Sequence, residues 1–275
     1  MSKLKAYKMD GLGNDFIIFD KRKKSISLTK NQIIKISDRN NVGCDQVIFI
    51  DEDKSSDALL KFFNSNGGEI SACGNGSRCA AYFLMKENNK KKITLRTKAG
   101  VLHAESMGEN LVSINMGKPI FEWKNIPLTK DMNIQNLKIK INDNKGREIT
   151  GGFAISIGNP HIVFFVKNIN DFNIEEIGPK IENHNYFPEK SNVTIANIVN
   201  KKNISVKVWE RGAGLTKACG TAACATVVSG AVLKLNERNA DVKFSEGSLN
   251  INWKIDDNIY MSGKVSTISE IEINI

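Results

Sequence analysis

The chain has 275 residues, 41% of them hydrophobic and 25% charged, with a formal net charge of +9. That length is enough for a large core and fits either one big domain or two of medium size. The lysines are scattered and are not interleaved with aromatics in a stripe, which argues against a nucleic-acid partner. No leader is expected from the start MSKLKAYKMDG, which has no apolar segment. The most apolar stretch, GGFAISIGNPHIVFFV, is broken at Gly158, Asn159, Pro160 and His161 and is too short to span a bilayer. Five cysteines, an odd and small number, point to a reducing cytoplasm and away from a disulfide framework.

Along the chain, Gly13-Asn14 opens the apolar run at residues 16–19, and residues 31–38 read as a short helix. Runs at 46–50, 58–63, 93–97 and 111–116 are strand-like and bounded by Gly, Asn or Asp. The segment ACGNGSRCAA, from Ala72, places Cys73 before a small turn and then a helix over 77–87, with Ala80, Ala81, Phe83 and Leu84 at helical spacing. Residues 119–151 are polar and irregular. Gly158-Asn159 then opens the run 162–165, and Asn192 opens 193–195. ACGTAACATVV, from Ala218, places Cys219 before a helix over 222–235. That helix is apolar nearly all round, as a helix enclosed by its own sheet would be. In the tail 265–275, Ile271, Ile273 and Ile275 alternate with polar residues as in a strand.

These landmarks repeat at a near-constant spacing. Asn14 and Asn159 are 145 residues apart, Gln46 and Asn192 are 146 apart, and so are Cys73 and Cys219. GVLHAE from Gly100 and GSLNIN from Gly247 are 147 apart. Phe63-Asn64 and Trp209-Glu210 stand at matching distances before their cysteines. Matches kept in this order imply a duplication. The modules are residues 1–118, joined by the returning strand 265–275, and residues 119–264. The fold class is α/β (α+β): two pseudo-symmetric modules, each a curled, mostly antiparallel sheet around a central helix, with the active site expected in a cleft between them.

A cysteine just before a helix faces backbone N–H groups that lack intrahelical partners, at the positive end of the dipole. Such a thiol is expected to ionise readily, and the N–H groups after it can hold a carboxylate. Two such thiols on opposite faces of one carbon suit stereoinversion, with one removing the proton and the other returning one. They are expected to titrate as a pair that shares one proton.

The chain resembles the diaminopimelate epimerases, pyridoxal-independent amino-acid epimerases of lysine and cell-wall precursor synthesis. The resemblance runs from Lys8 to Gly263. It rests on GLGNDF at Gly11, GCDQ at Gly43, FN at Phe63, ACGNGSRC at Ala72, GNPH at Gly158, SN at Ser191 and ERGAGLTKACGTA at Glu210. It implies that Cys73 and Cys219 are the acid/base pair and that Gly74, Asn75, Gly220 and Thr221 hold the reacting carboxylate. It further implies that Asn14, Asn64, Asn159, Asn192 and Arg211 recognise the far amino-acid group and that Glu210 meets an ammonium, with Gln46 and His161 nearby. No cofactor, no nucleic acid and no membrane is implied; the partners are an amino-acid substrate and a second copy in a homodimer. Two departures stand out: Asn64 is followed by Ser65-Asn66-Gly67, without the usual acid, and Thr221 lacks a following glycine.

Cys44, Cys79 and Cys224 read as ordinary small residues. His103, His161 and His184 lack ligand spacing, so no metal site is expected. Two other readings remain open on the residues: a thiol redox sensor or binding protein for an acidic metabolite, and a proline-racemase-like enzyme.

Overall fold

The computed structural model describes residues 3–274; Met1, Ser2 and Ile275, the last isoleucine of the alternating tail, lie outside the described residues. The chain forms two compact units. One holds the described residues up to Asn115 together with those from Ser262 onward, and the other is Met116–Met261.

The first unit opens with β1 (Lys3–Gly11) and β2 (Asn14–Asp20), an antiparallel hairpin. Its two turn residues, Leu12 and Gly13, have φ of 60° and 71°, the positive pair that a two-residue turn needs to match strand twist. Then come α1 (Lys30–Ser37), β3 (Gln46–Asp51), β4 (Ala58–Asn64), β5 (Glu69–Ile70), α2 (Gly74–Glu87), β6 (Lys92–Thr97), β7 (Gly100–Gly108) and β8 (Leu111–Asn115). Strand β3 is parallel to β2 and antiparallel to β4, and β4 is parallel to β6. The parallel steps are the ones with a helix between the strands, as crossover geometry requires. Helix α1 begins with a capping box in which Thr29 and Gln32 each satisfy the other's backbone N–H. Its Ile33 and Ile36 pack on Ile17, Phe19, Val47 and Phe49.

The second unit repeats this order. It contains β9 (Ile139–Asn142), β10 (Glu148–Gly151), β11 (Phe153–Ser156), β12 (Pro160–Phe165), α3 (Ile174–Glu182), β13 (Asn192–Asn200), β14 (Asn203–Glu210) and β15 (Gly214–Thr216). After these come α4 (Gly220–Val232), β16 (Asn239–Phe244), β17 (Gly247–Trp253) and β18 (Ile259–Lys264), the strand within which the unit boundary falls. Strand β12 is parallel to β13, β13 antiparallel to β14, and β14 parallel to β16, the same signs as β2, β3, β4 and β6. The register repeats as well: Phe16 faces Gln46, and His161 faces Asn192. The final strand, β19 (Ser269–Asn274), runs antiparallel to β1.

Each sheet curls around one helix. Helix α2 packs on β1, β2, β3, β6, β7 and β8, and α4 on β11, β12, β13, β16 and β17. Enclosure explains why α4 is apolar on all faces. It also buries α2 from Asn75 to Met85, polar residues included, although its apolar spacing alone describes only one face. Gly76 is small for this reason: a Cβ there would stand 2.9 Å from Ile48 and 3.1 Å from both Phe16 and Phe62.

Two parts of the second unit differ from the sequence reading. Residues 119–151 hold the β9–β10 hairpin and bury Ile126, Leu128, Leu137, Ile139 and Ile149 against α3 and β12–β13. Helix α3 was not expected, because Gly178 and Pro179 lie inside it. Gly178 is needed there, since a Cβ would come within 2.6 Å of the Trp209 ring. Among the described residues, no helix is long and apolar enough to cross a membrane.

Candidate active site

In the first unit, Cys73 is the N-cap of α2, with φ −144° and ψ 116°. Its Sγ accepts from the Gly76 N–H at 3.4 Å. That N–H is therefore turned to sulfur, while Gly74 and Asn75, read as holders of the carboxylate, keep theirs without an intrahelical partner. Asn14 Oδ1 lies 3.9 Å from Cys73 Sγ. The Asn14 amide is oriented from behind, donating to Asp45 Oδ2 at 2.9 Å. Arg39 bridges Asp45 and Asp15, and Asp15 accepts the backbone N–H of Asp45. Gln46 Nε2 donates to Asn64 Oδ1 at 3.0 Å, which leaves Gln46 Oε1 buried with no partner; Asn75 Oδ1 is in the same condition. Buried polar atoms normally have partners, so such acceptors mark places where a ligand can complete the bonding.

In the second unit, Cys219 caps α4 in nearly the same backbone conformation, φ −133° and ψ 116°, but is only 6% exposed. Thr221 Oγ1 stands 3.4 Å from its sulfur and 3.4 Å from Asn159 Nδ2. His161 Nε2 is 3.0 Å from Asn159 Oδ1. The ring therefore donates from Nε2 and leaves Nδ1 a buried acceptor without a partner. Asn192 Nδ2 donates to the Pro160 carbonyl, and its Oδ1 accepts the Arg211 N–H at 3.0 Å. The Arg211 guanidinium reaches the Glu189 carbonyl at 2.8 Å. Gly220 must be small, because a Cβ would lie 2.6 Å from Met261 Sδ.

Burial dominates the electrostatics of the enclosed cysteines. Burial holds the Cys219 thiol well above its ordinary pKa, and the negative charge of Glu210 pushes the same way, while the Thr221 hydroxyl opposes both. The helix-end expectation of easy ionisation therefore fails for Cys219: loss of hydration outweighs the field of the helix terminus. Burial also raises Cys79, although Arg78 offsets part of the effect, and raises Cys44. Both of these thiols are inert, as structural cysteines are. Burial, together with the charge of Arg211, pushes His161 down to about 3, so its ring is neutral at physiological pH.

The sequence reading gave no role to Asp45 or Glu182. Asp45 lies in the GCDQ segment, directly before Gln46, and that adjacency was its signal. Glu182 is buried and accepts from Trp209 Nε1 at 2.7 Å and Gly212 N at 3.1 Å, which braces the turn carrying Glu210 and Arg211. It stands far from that turn in sequence and gave no local signal. Among the described residues, no group of three His, Cys, Asp or Glu side chains is arranged to hold a metal ion. None of the five cysteines forms a disulfide.

Two units, each a sheet curled round a helix, form a fold shared with solved structures of other proteins. A phenazine biosynthesis protein of the PhzF family from Bacillus anthracis aligns over 100% of both chains, with a TM-score of 0.70 and 18% identity. A hydroxyproline epimerase from Agrobacterium vitis aligns over 98% of this chain and 92% of its own, with a TM-score of 0.67 and 11% identity. At those identities the likeness is one of fold. Sequence comparison goes further: the pattern described as diaminopimelate epimerase matches residues 6–122 and 153–268. The diaminopimelate epimerase of Pelagibacter ubique is 53% identical over 272 residues, 99% of both chains. That of Acidiphilium cryptum is 39% identical over 268 residues, 97% of this chain and 95% of its own. The chain belongs to the diaminopimelate epimerase family.

Proposed function

We propose that the chain interconverts LL- and meso-diaminopimelate by two-base proton transfer between Cys73 and Cys219, without pyridoxal phosphate. One sulfur, as thiolate, takes the α-proton, and the other, as thiol, gives its proton to the opposite face of the same carbon. The reverse reaction exchanges the roles. The observation that carries this reading is the duplication of a cysteine at a helix N-terminus, in matching backbone conformation, on two sheet-wrapped helices. The raised pKa of Cys219 supports it as the member that holds the proton at rest. The N–H groups of Gly74 and Asn75, and of Gly220 and Thr221, are suited to the substrate carboxylate, whose charge grows as the α-carbon loses its proton. The buried acceptors Gln46 Oε1, Asn75 Oδ1 and His161 Nδ1 favour a polar ligand. Asn14, Asn64, Asn159, Asn192, Glu210 and Arg211 take the far ammonium and carboxylate.

A redox sensor calls for an accessible, readily ionised thiol, and the burial of Cys219 speaks against that reading. We place the enzyme in the cytoplasm, which suits five cysteines without a disulfide, and as a homodimer, as implied by the family resemblance. Incubation with LL-diaminopimelate in deuterated water, under reducing conditions and without pyridoxal phosphate, tests the reaction. Deuterium is expected at the α-carbon of recovered substrate and product. No incorporation at all sinks the proposal.

A further inference from the structure

The two units differ at one place that has no part in the chemistry above. In each, the strand before the cysteine turn has a split edge. Strand β14 pairs with β16 through Asn203, Ile204 and Ser205, and with β15 through Val208, Trp209 and Glu210. Val206 and Lys207 lie between, paired with neither. A cavity of about 560 Å³ opens at this gap, walled by β14, β15, β16 and the start of α3. Ile169, Ile174 and Leu215 supply apolar side chains on the face that carries Lys207, and Lys207, Lys217 and Lys243 surround it. Glu175 is the one acid of the lining, so positive charge is in excess. Among the described residues none of the three lysines is in an ion pair. Thr216, also in the lining, has its Oγ1 buried without a partner.

The first unit shows how the same cations are satisfied there. Lys61 faces Phe49 across the sheet as Lys207 faces Ile195, and Arg96 faces Leu59 as Lys243 faces Ser205. Lys61 is 3.0 Å from Asp51, and Arg96 is 3.2 Å from Asp53. In the second unit, the register puts Asn197 at the place of Asp51, and the spacing of the repeat puts Val199 at that of Asp53. Both cations are kept and both acids are gone. Lys217, at the place of Ser71, adds a third cation.

We propose that this cavity binds an organic anion with an apolar body: a carboxylate set among Lys207, Lys217 and Lys243, replacing the missing acids, and an aliphatic chain against Ile169, Ile174 and Leu215. None of its lining residues is among those assigned to catalysis or substrate binding, and the site does not depend on the epimerase reading. The test is titration of the isotope-labelled full chain with sodium octanoate, followed by amide NMR shifts and calorimetry, with 1-octanol as the uncharged control. Octanoate is expected to saturate with shifts at Val206, Lys207, Thr216 and Phe244, and octanol to bind at least about tenfold more weakly. The double variant Lys207→Gln/Lys243→Gln is expected to weaken octanoate at least about tenfold while leaving epimerase turnover unchanged. Val199→Asp, an exposed change that puts an acid where the repeat spacing matches Asp53, is expected to weaken octanoate several-fold. Equal binding of octanol and octanoate, unchanged affinity in the double variant, or shifts confined to other parts of the chain each overturn the proposal.

Discussion

The same small-residue turn is built twice in this chain, and the two copies hold their sulfur differently. Cys73 is partly exposed and tied to its own helix through the Gly76 N–H. Cys219 makes no capping bond, is nearly sealed from solvent and has Glu210 raising its proton affinity. A helix N-terminus favours a thiolate, but only by a modest field that falls off within one turn. Complete removal of hydration is the larger effect, and it decides the state of Cys219. Duplication supplied a symmetric frame, and the surroundings of the two sulfurs then diverged: one is sealed beside an acid, the other is partly open.

Removing either sulfur is the largest way to break that comparison. Cys73→Ser and Cys219→Ser are each expected to lower turnover by at least about a thousandfold, since a positioned acid or base contributes about 10²–10⁴ and the reaction needs both. Circular dichroism should show both variants folded, because serine replaces sulfur at a capping position that tolerates it. A variant that keeps near-normal turnover ends the two-base assignment.

The next effect compares the first turns of the two helices. Gly76 and Ala222 occupy the same place, yet only the first copy excludes a methyl group. At Gly76 the added atom meets Ile48, Phe16 and Phe62, which are packed side chains with little room to retreat. Gly76→Ala is expected to cost about 1–3 kcal/mol as overpacking, although alanine is the better helix former. Ala222→Gly is expected to cost about 1 kcal/mol or less. Urea denaturation midpoints measure both, and equal effects erase the distinction.

Much of this arrangement was legible in the sequence, for definite reasons. The strands β3, β4, β6 and β8 and the helices α1, α2 and α4 announce themselves by periodicity and by their bounding Gly and Asn residues. That each cysteine precedes a helix was readable from the small turn after it. Helix α3 was hidden because Gly178, demanded by the Trp209 ring, and the following Pro179 imitate a loop. The aliphatic residues of 119–151 stand singly among polar ones, so nothing local marked them as core. The proton affinity of Cys219 depends on how deeply the fold buries it and on where Glu210 returns, and neither is a local property. The bracing of Glu210 and Arg211 by Glu182 is likewise long-range.

Alkylation sharpens the cysteine comparison by a smaller factor. Iodoacetamide attacks thiolates that solvent can reach. At pH 8, mass spectrometry is expected to find Cys73 modified at least about tenfold faster than Cys219. Glu210→Gln removes a negative charge that holds the Cys219 proton, so the rate at Cys219 should rise and the ratio should narrow. An unchanged ratio in that variant removes Glu210 from the account and leaves burial alone.

The last effect, absent at neutral pH, comes from a position that titrates in one unit and cannot in the other. His161 faces Asn192 where Phe16 faces Gln46. The folded chain keeps His161 neutral down to about 3, against an ordinary value of 6.5. Between those limits the unfolded chain binds a proton that the folded chain refuses, so unfolding takes up a proton. Stability from this group is complete above about pH 6.5 and declines as the pH falls toward 3, by at most about 1.4 kcal/mol per pH unit. His161→Gln keeps a side chain able to donate to Asn159 and removes the titration. Its unfolding free energy should then fall less steeply than that of the parent between pH 6.5 and 4. Parallel curves for the two proteins mean that the ring gains its proton inside the fold, and the burial that neutralises it is then weaker than its surroundings indicate.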